Sequence, residues 1–228
     1  MEKFGIAGYQ TGVVNASQLA DFYYDGDDFV TTPVDDEDYA FTNATAGTMT
    51  IDPAAENGVL LLDAASSTAT QGAQMQRPAA TFKPEAGRVI LFEARVKVAD
   101  VATGPELFIG LGNIDTTIIS SSAVSTTDHI AFTSITDDNV LLANAEKAGA
   151  GTTKATGTTL VDGTWVKLGI RVDGVDSASF YVDDVLVSTI DTTANISVLN
   201  MSPSFVCQSG GTTDPILHID YWRCQQTR

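Results

Sequence analysis

A chain of 228 residues with 43% hydrophobic and only 18% charged side chains holds enough apolar material for one large core and too much for a disordered segment. Twelve Lys and Arg stand against 29 Asp and Glu, a formal charge of −17, which repels a phosphate backbone and argues against nucleic acid as a direct partner. No apolar run approaches the roughly 18 residues needed to cross a bilayer, and Met1-Glu2-Lys3-Phe4 opens without the basic and apolar regions of a secretory signal. The expectation is a protein made in a cytoplasm with no membrane partner.

Residues 1 to 24 carry spaced apolar side chains, among them Phe4, Tyr9, Leu19, Phe22, Tyr23 and Tyr24, without sustained alternation. They read as an extended N-terminal arm ahead of one β domain over 25–228. Such an arm either packs along its own domain or docks on a partner, gaining contacts as it orders, and these six residues are the candidate partner-binding positions. From Asp25 to Tyr39 the chain is acidic and irregular. Asp25, Asp27, Asp28, Asp35, Asp36, Glu37 and Asp38 lack the EF-hand order of ligands before Gly, so a solvated loop is expected and neither metal nor cofactor is assigned.

Short strands separated by turn residues follow, at Gly47–Ile51, Gly58–Leu62, Ala79–Phe82, Val89–Val98, Glu106–Leu111, Thr116–Ser120 and His129–Thr133. Further strands are expected at Val140–Leu142, Thr158–Leu160, Val166–Asp173, Ala178–Val182, Val185–Thr189, Ser202–Cys207 and Ile216–Arg223. This spacing marks an antiparallel sandwich or barrel. In Val89–Val98, Phe92, Ala94, Val96 and Val98 point one way and Glu93, Arg95 and Lys97 the other. Gly110-Leu111-Gly112 resembles a dinucleotide loop, but Asp115 stands at the third glycine's place and no helix follows, so a strand end is expected. Asp137–Lys147 is the nearest candidate for a short helix, and Gly149–Thr153 reads as a flexible loop.

The clearest unit runs from Asp162 to Val187. Val166, Leu168, Ile170 and Val172 alternate with polar neighbours, Phe180 and Val182 repeat the pattern, and Asp173-Gly174 and Asp183-Asp184 sit where hairpin turns must form. Near the end, Leu217, Ile219 and Tyr221 are expected on one face and His218, Asp220 and Trp222 on the other. Cys207 and Cys224 are the two cysteines and read as free, half-buried thiols. His129 and His218 are the two histidines, and no HExxH, GxSxG, P-loop or Cys/His cluster accompanies them.

At Phe92-Glu93-Ala94-Arg95-Val96-Lys97-Val98, at Tyr181-Val182-Asp183-Asp184-Val185-Leu186-Val187 and at Ile219-Asp220-Tyr221-Trp222-Arg223, the sequence resembles the concanavalin A-like lectin/glucanase superfamily, in matching order over about residues 28 to 226. The resemblance implies an all-β, antiparallel β-sandwich jelly roll with very little helix. Laminarinase-type hydrolases of that superfamily carry a Glu-x-Asp-x-(x)-Glu strand with its carboxylates ~5–5.5 Å apart. Glu2, Glu37, Glu56, Glu85, Glu93, Glu106 and Glu146 form no such strand, so the expectation is that the chain is not an enzyme. Within the superfamily, its Gly/Ala/Thr-rich, acidic style resembles jelly-roll proteins encoded beside tailed-bacteriophage capsid genes. That resemblance implies a capsid decoration or cement protein on the outer surface of the virion, homotrimeric, with the major capsid protein as partner. The rival is a carbohydrate-binding module that stacks exposed aromatics such as Trp165, Trp222 or Tyr181 on sugar rings.

Overall fold

The computed structural model describes residues 22–31, 33, 37–44, 46–56, 58–102, 104–120, 122–135 and 138–228. Its strands are β1 (Phe22–Asp27), β2 (Ala40–Ala44), β3 (Thr48–Ile51), β4 (Leu60–Asp63), β5 (Gly72–Gln76), β6 (Val89–Ala99), β7 (Glu106–Gly112), β8 (Ile119–Ser120) and β9 (Ala123–Val124). They continue as β10 (His129–Ser134), β11 (Val140–Lys147), β12 (Ala150–Thr159), β13 (Val166–Asp173), β14 (Ser177–Val182), β15 (Val185–Ile190), β16 (Ser202–Gln208) and β17 (Ile216–Thr227). One 3-10 turn, Thr193–Asn195, precedes β16.

Two antiparallel sheets form the jelly-roll sandwich. The larger has the order β15-β14-β13-β6-β17-β4-β3, with β1 also paired to β17, and the smaller runs β12-β11-β10-β7-β16-β5-β2. β17 is long enough to seat two neighbours along one edge, β4 at Ile216–Ile219 and β1 at Trp222–Thr227. Alternation decides what lies between the sheets: Phe92, Val96, Leu168, Ile170 and Phe180 from the larger meet Leu107, Ile109, Ile130, Phe132 and Phe205 from the smaller in one buried cluster. Phe132 and Phe180 meet edge to face at 5.2 Å, and Phe92 and Phe205 are 6.1 Å apart.

The hairpin between β14 and β15 turns on two residues, Asp183 at φ 48° and Asp184 at φ 66°, with Val182 facing Val185. Positive φ at both central residues is what a tight turn matched to the strand twist demands.

Several expectations are corrected. Of the short helix expected over Asp137–Lys147, Asp137 lies outside the described residues and Val140–Lys147 instead forms β11, with Leu141, Ala143 and Ala145 in the core. Gly149–Thr153 is no flexible loop, since Ala150 already opens β12 opposite Lys147. Ala79–Phe82 supplies only an isolated bridge from Phe82 to Met201. In β17 a bulge falls between Ile219 and Tyr221 and shifts the alternation. Trp222 therefore enters the core, 1% exposed, while Tyr221 faces outward to hydrogen-bond Glu93. Cys207 and Cys224 are free and fully rather than half buried, on different sheets, and burial pushes both thiols up.

Candidate functional site

The outer face of the seven-stranded sheet is covered by its own chain. Phe108, Ala131 and Val206, which point away from the central core, meet Ile118 and Ile119 of the connection between β7 and β10 in a second buried cluster. Gln74 and Gln76 of β5 tie that connection down through their amides. Gln74 donates to the Asp115 carbonyl and accepts from the Ile118 N–H at 2.9 Å. Gln76 donates to the Asn113 carbonyl and accepts from the Asp115 N–H, both at 3.0 Å. His129 packs edge-on against Phe108, and its Nδ1–H donates to the Thr127 carbonyl at 2.8 Å. Burial holds its pKa below the usual histidine range, against the opposing pull of the Thr127 carbonyl and the Asn144 side chain. Asp128 joins two more segments by accepting from Ser197 Oγ at 2.7 Å and from the Ala148 N–H at 2.8 Å.

Beside this cover lies a cleft of about 330 Å³ whose lining includes Asn43, Gln71, Gln74, Thr116, Thr117 and Gln208 and no charged residue. Gln208 donates to the Ile119 carbonyl at 3.2 Å, while its own side-chain carbonyl and that of Gln71 are buried without a hydrogen-bond partner among the described residues.

The sequence-predicted arm divides at residue 22. Phe4, Tyr9 and Leu19 lie outside the described residues. Phe22, Tyr23 and Tyr24 belong to β1, paired with Thr227, Gln226 and Gln225. Tyr23 packs on Phe82 at 5.1 Å, and Tyr24 remains 46% exposed. The strand is anchored beyond its backbone ladder. Arg77 pairs with Asp25 at 3.0 Å, and Trp222 Nε1–H donates to Tyr39 Oη at 2.7 Å, which donates to Asp27 Oδ2 at 2.9 Å. Burial, then the Asp27 charge, pushes the Tyr39 phenol above its usual range. Next to β1, Tyr24, Asp27, Asp28, Tyr221 and Arg223 border a recess of about 350 Å³.

The outer face of the eight-stranded sheet is open and charged. Glu93, 1% exposed, accepts from Tyr221 Oη at 2.9 Å and from Arg223 Nε at 3.1 Å. Lys167 pairs with Asp184 at 2.6 Å and Arg171 with Asp173 at 2.9 Å. Of the three aromatics expected to stack on sugars, Trp222 is 1% and Tyr181 7% exposed, leaving only Trp165 partly open. Among the described residues, no three His, Cys, Asp or Glu side chains converge as ligands for a metal ion.

Residues 56–220 match the family model for the SO2946-like, C-terminal domain. The chain belongs to the SO2946-like family. A crystal structure of SO2946 from Shewanella oneidensis MR-1, a protein of unknown function, superposes with a TM-score of 0.62 at 16% identity over 95% of each chain. Arcelin-5, a lectin-like defense protein from Phaseolus vulgaris, reaches 0.66 at 12% identity over 91% of this chain and 100% of its own. An endo-1,3-β-glucanase from Streptomyces sioyaensis reaches 0.60 at 14% identity over 91% and 97%. A search of curated protein sequences finds no match.

These likenesses establish the concanavalin A-like fold and correct one expectation. Glycoside hydrolases stand beside lectins among the neighbours, so the sequence-based exclusion of enzymatic activity does not stand. A shared fold at such identity assigns neither catalysis nor its absence. What sequence reasoning missed outright is the pair Gln74 and Gln76. β5 is buried on both faces, so it shows no alternation, and its Gly-Ala-Gln-Met-Gln composition carries no strand signal.

Proposed function

We propose that this chain is a virion structural protein: a homotrimeric decoration protein that binds the major capsid protein on the outer surface of the shell. The observation that carries this reading is the anchoring of β1. Residues 1–21, with Phe4, Tyr9 and Leu19, lead directly into a strand locked to β17, to Arg77 and through Asp27 to Tyr39 and Trp222. Tension on a bound leading segment would pass into the sandwich core rather than peel a loose end. Each docked copy needs only a modest interface, on the order of 1,000 Å², because many copies act on one shell. The test is co-sedimentation of the full chain, and of a chain lacking residues 1–21, with undecorated heads. The full chain should pellet with the heads and the shortened one should stay in the supernatant while remaining folded. Failure of the full chain to pellet would refute the reading.

One observation favours a second reading, a carbohydrate-binding module. The cleft is lined by the amide side chains of Asn43, Gln71, Gln74 and Gln208 and by no charged residue, a composition that suits the hydroxyls of a neutral sugar. Glycan-array binding abolished by Gln208→Leu would support it, and an array without signal would remove it.

A further inference from the structure

Two patches of opposite character lie side by side at one end of the eight-stranded sheet. In the first, Trp165 is flanked by the Arg95 guanidinium at 4.6 Å and the Lys97 ammonium at 4.9 Å from its ring centroid, with His218 edge-on at 6.5 Å. Arg95 is held by Asp220 at 2.5 Å, whereas Lys97 makes no ion pair among the described residues. Val161, in the turn just before Trp165, is 63% exposed.

The second patch is a run of four aspartates. Asp162 Oδ1 accepts from the Asp100 N–H at 2.6 Å, and Asp100 Oδ2 accepts from the Asp214 N–H at 3.3 Å. The pKa of Asp63 is raised by burial and then by the charge of Asp214. None of the four forms an ion pair among the described residues. Asp100 and Asp162, with Val101 and Ala102, line a recess of about 440 Å³.

We infer that this end of the molecule is a self-association surface, in which the Trp165–Lys97 patch of one copy meets the Asp100–Asp162 recess of another. Neighbouring carboxylates without a counter-charge repel one another, and a cation from outside relieves them. Lys97, spread over the Trp165 indole and in no ion pair among the described residues, is a cation the same chain offers. Tryptophan and arginine beside an exposed valine are the composition of an interface centre. A second copy is the occupant that fits, because it carries both halves of the contact, and their charge complementarity works against the repulsion between two chains of net charge −17. Each patch thereby supplies what the other lacks.

The inference rests on the self-association within the reading above and on nothing about the shell. Sedimentation velocity of the full chain alone, across concentration and salt, tests it. The wild type should assemble beyond the monomer at low ionic strength and dissociate as salt shortens the reach of charges to about 10 Å or less. Lys97→Glu, Trp165→Ala and Asp162→Asn should each weaken assembly by about tenfold or more. Asp162→Asn keeps the oxygen that accepts from Asp100, so its effect reads charge rather than turn structure. An unchanged circular-dichroism spectrum confirms the fold of each variant, and if Trp165→Ala does not fold, the two charge variants carry the test. A wild type that stays monomeric, or an assembly indifferent to these substitutions, overturns the inference. A monomer that still pellets with heads would overturn it, and the homotrimer with it, while leaving the binding to the shell in place.

Discussion

The two outer faces of this sandwich solve the same problem in opposite ways. A sheet packed on one side has a second side that must meet something. On the seven-stranded sheet that side is apolar at its centre, Phe108, Ala131 and Val206, and the connection between β7 and β10 seals it with Ile118 and Ile119. On the eight-stranded sheet it is a lattice of ion pairs and ring contacts, Glu93 with Arg223, Lys167 with Asp184 and Arg95 beside Trp165, which water can cover. A sealed face stabilises the monomer and is closed to partners, whereas a wet face adds little stability and stays available.

Substitutions should separate the two. The largest effect is expected at the sealed face: Phe108→Ala removes a fully buried ring and should cost about 3–5 kcal/mol in urea unfolding. Next comes Glu93, a charge that the open face buries. Glu93→Ala strips Tyr221 and Arg223 of their common acceptor and should cost about 2–3 kcal/mol by the same measurement. Trp165→Ala, which loses a partly exposed ring and its two cation contacts, should cost about 1 kcal/mol. If Trp165→Ala costs as much as Phe108→Ala, the contrast between the faces is wrong.

Acidification sharpens the comparison. Burial lowers the pKa of His129 under the sealed face and of His218 on the open one. In both cases the unfolded chain takes up a proton at a higher pH than the folded chain does. Stability contributed by the neutral rings is therefore present above about pH 6.5 and is lost as pH falls toward the lowered folded values. Asp63 and Glu146 act in the opposite sense. Their raised pKa values make the fold bind protons more readily than the unfolded chain, a gain present at low pH and lost as pH rises through the folded values. Unfolding free energy measured at pH 7 and pH 5.5 should fall, and His129→Gln should reduce that fall more than His218→Gln does, since His129 is the more deeply buried. The smallest effect belongs to the exposed pair Lys154–Asp191 at 3.5 Å, where Lys154→Ala should shift stability by no more than about 0.5 kcal/mol.

Where one face is dry and the other wet, the sequence was readable. β6 and β13 alternate cleanly because Phe92, Val96, Leu168 and Ile170 face the core while Arg95, Lys97 and Lys167 lie on the opposite, partly open face, and the Asp183-Asp184 turn announces itself by its residue types. Where both faces are dry the period disappears. β5, β7, β10 and β16 are buried along their whole length. Of these, β7, β10 and β16 were visible through hydrophobic content, and β5, with its two glutamines, was invisible.

Local pattern alone thus determined antiparallel strands of a sandwich or barrel, the best hairpins and the face that Arg95 and Lys97 share, because a two-residue period is a property of neighbours along the chain. Only the tertiary structure decided that a bulge at Asp220 turns Trp222 inward, that Gln74 and Gln76 hold a cover over the smaller sheet, and that Asp63, Asp100, Asp162 and Asp214 gather beside Trp165. Each of these depends on which distant strands become neighbours, and that is set by the packing of the whole core rather than by any segment of it.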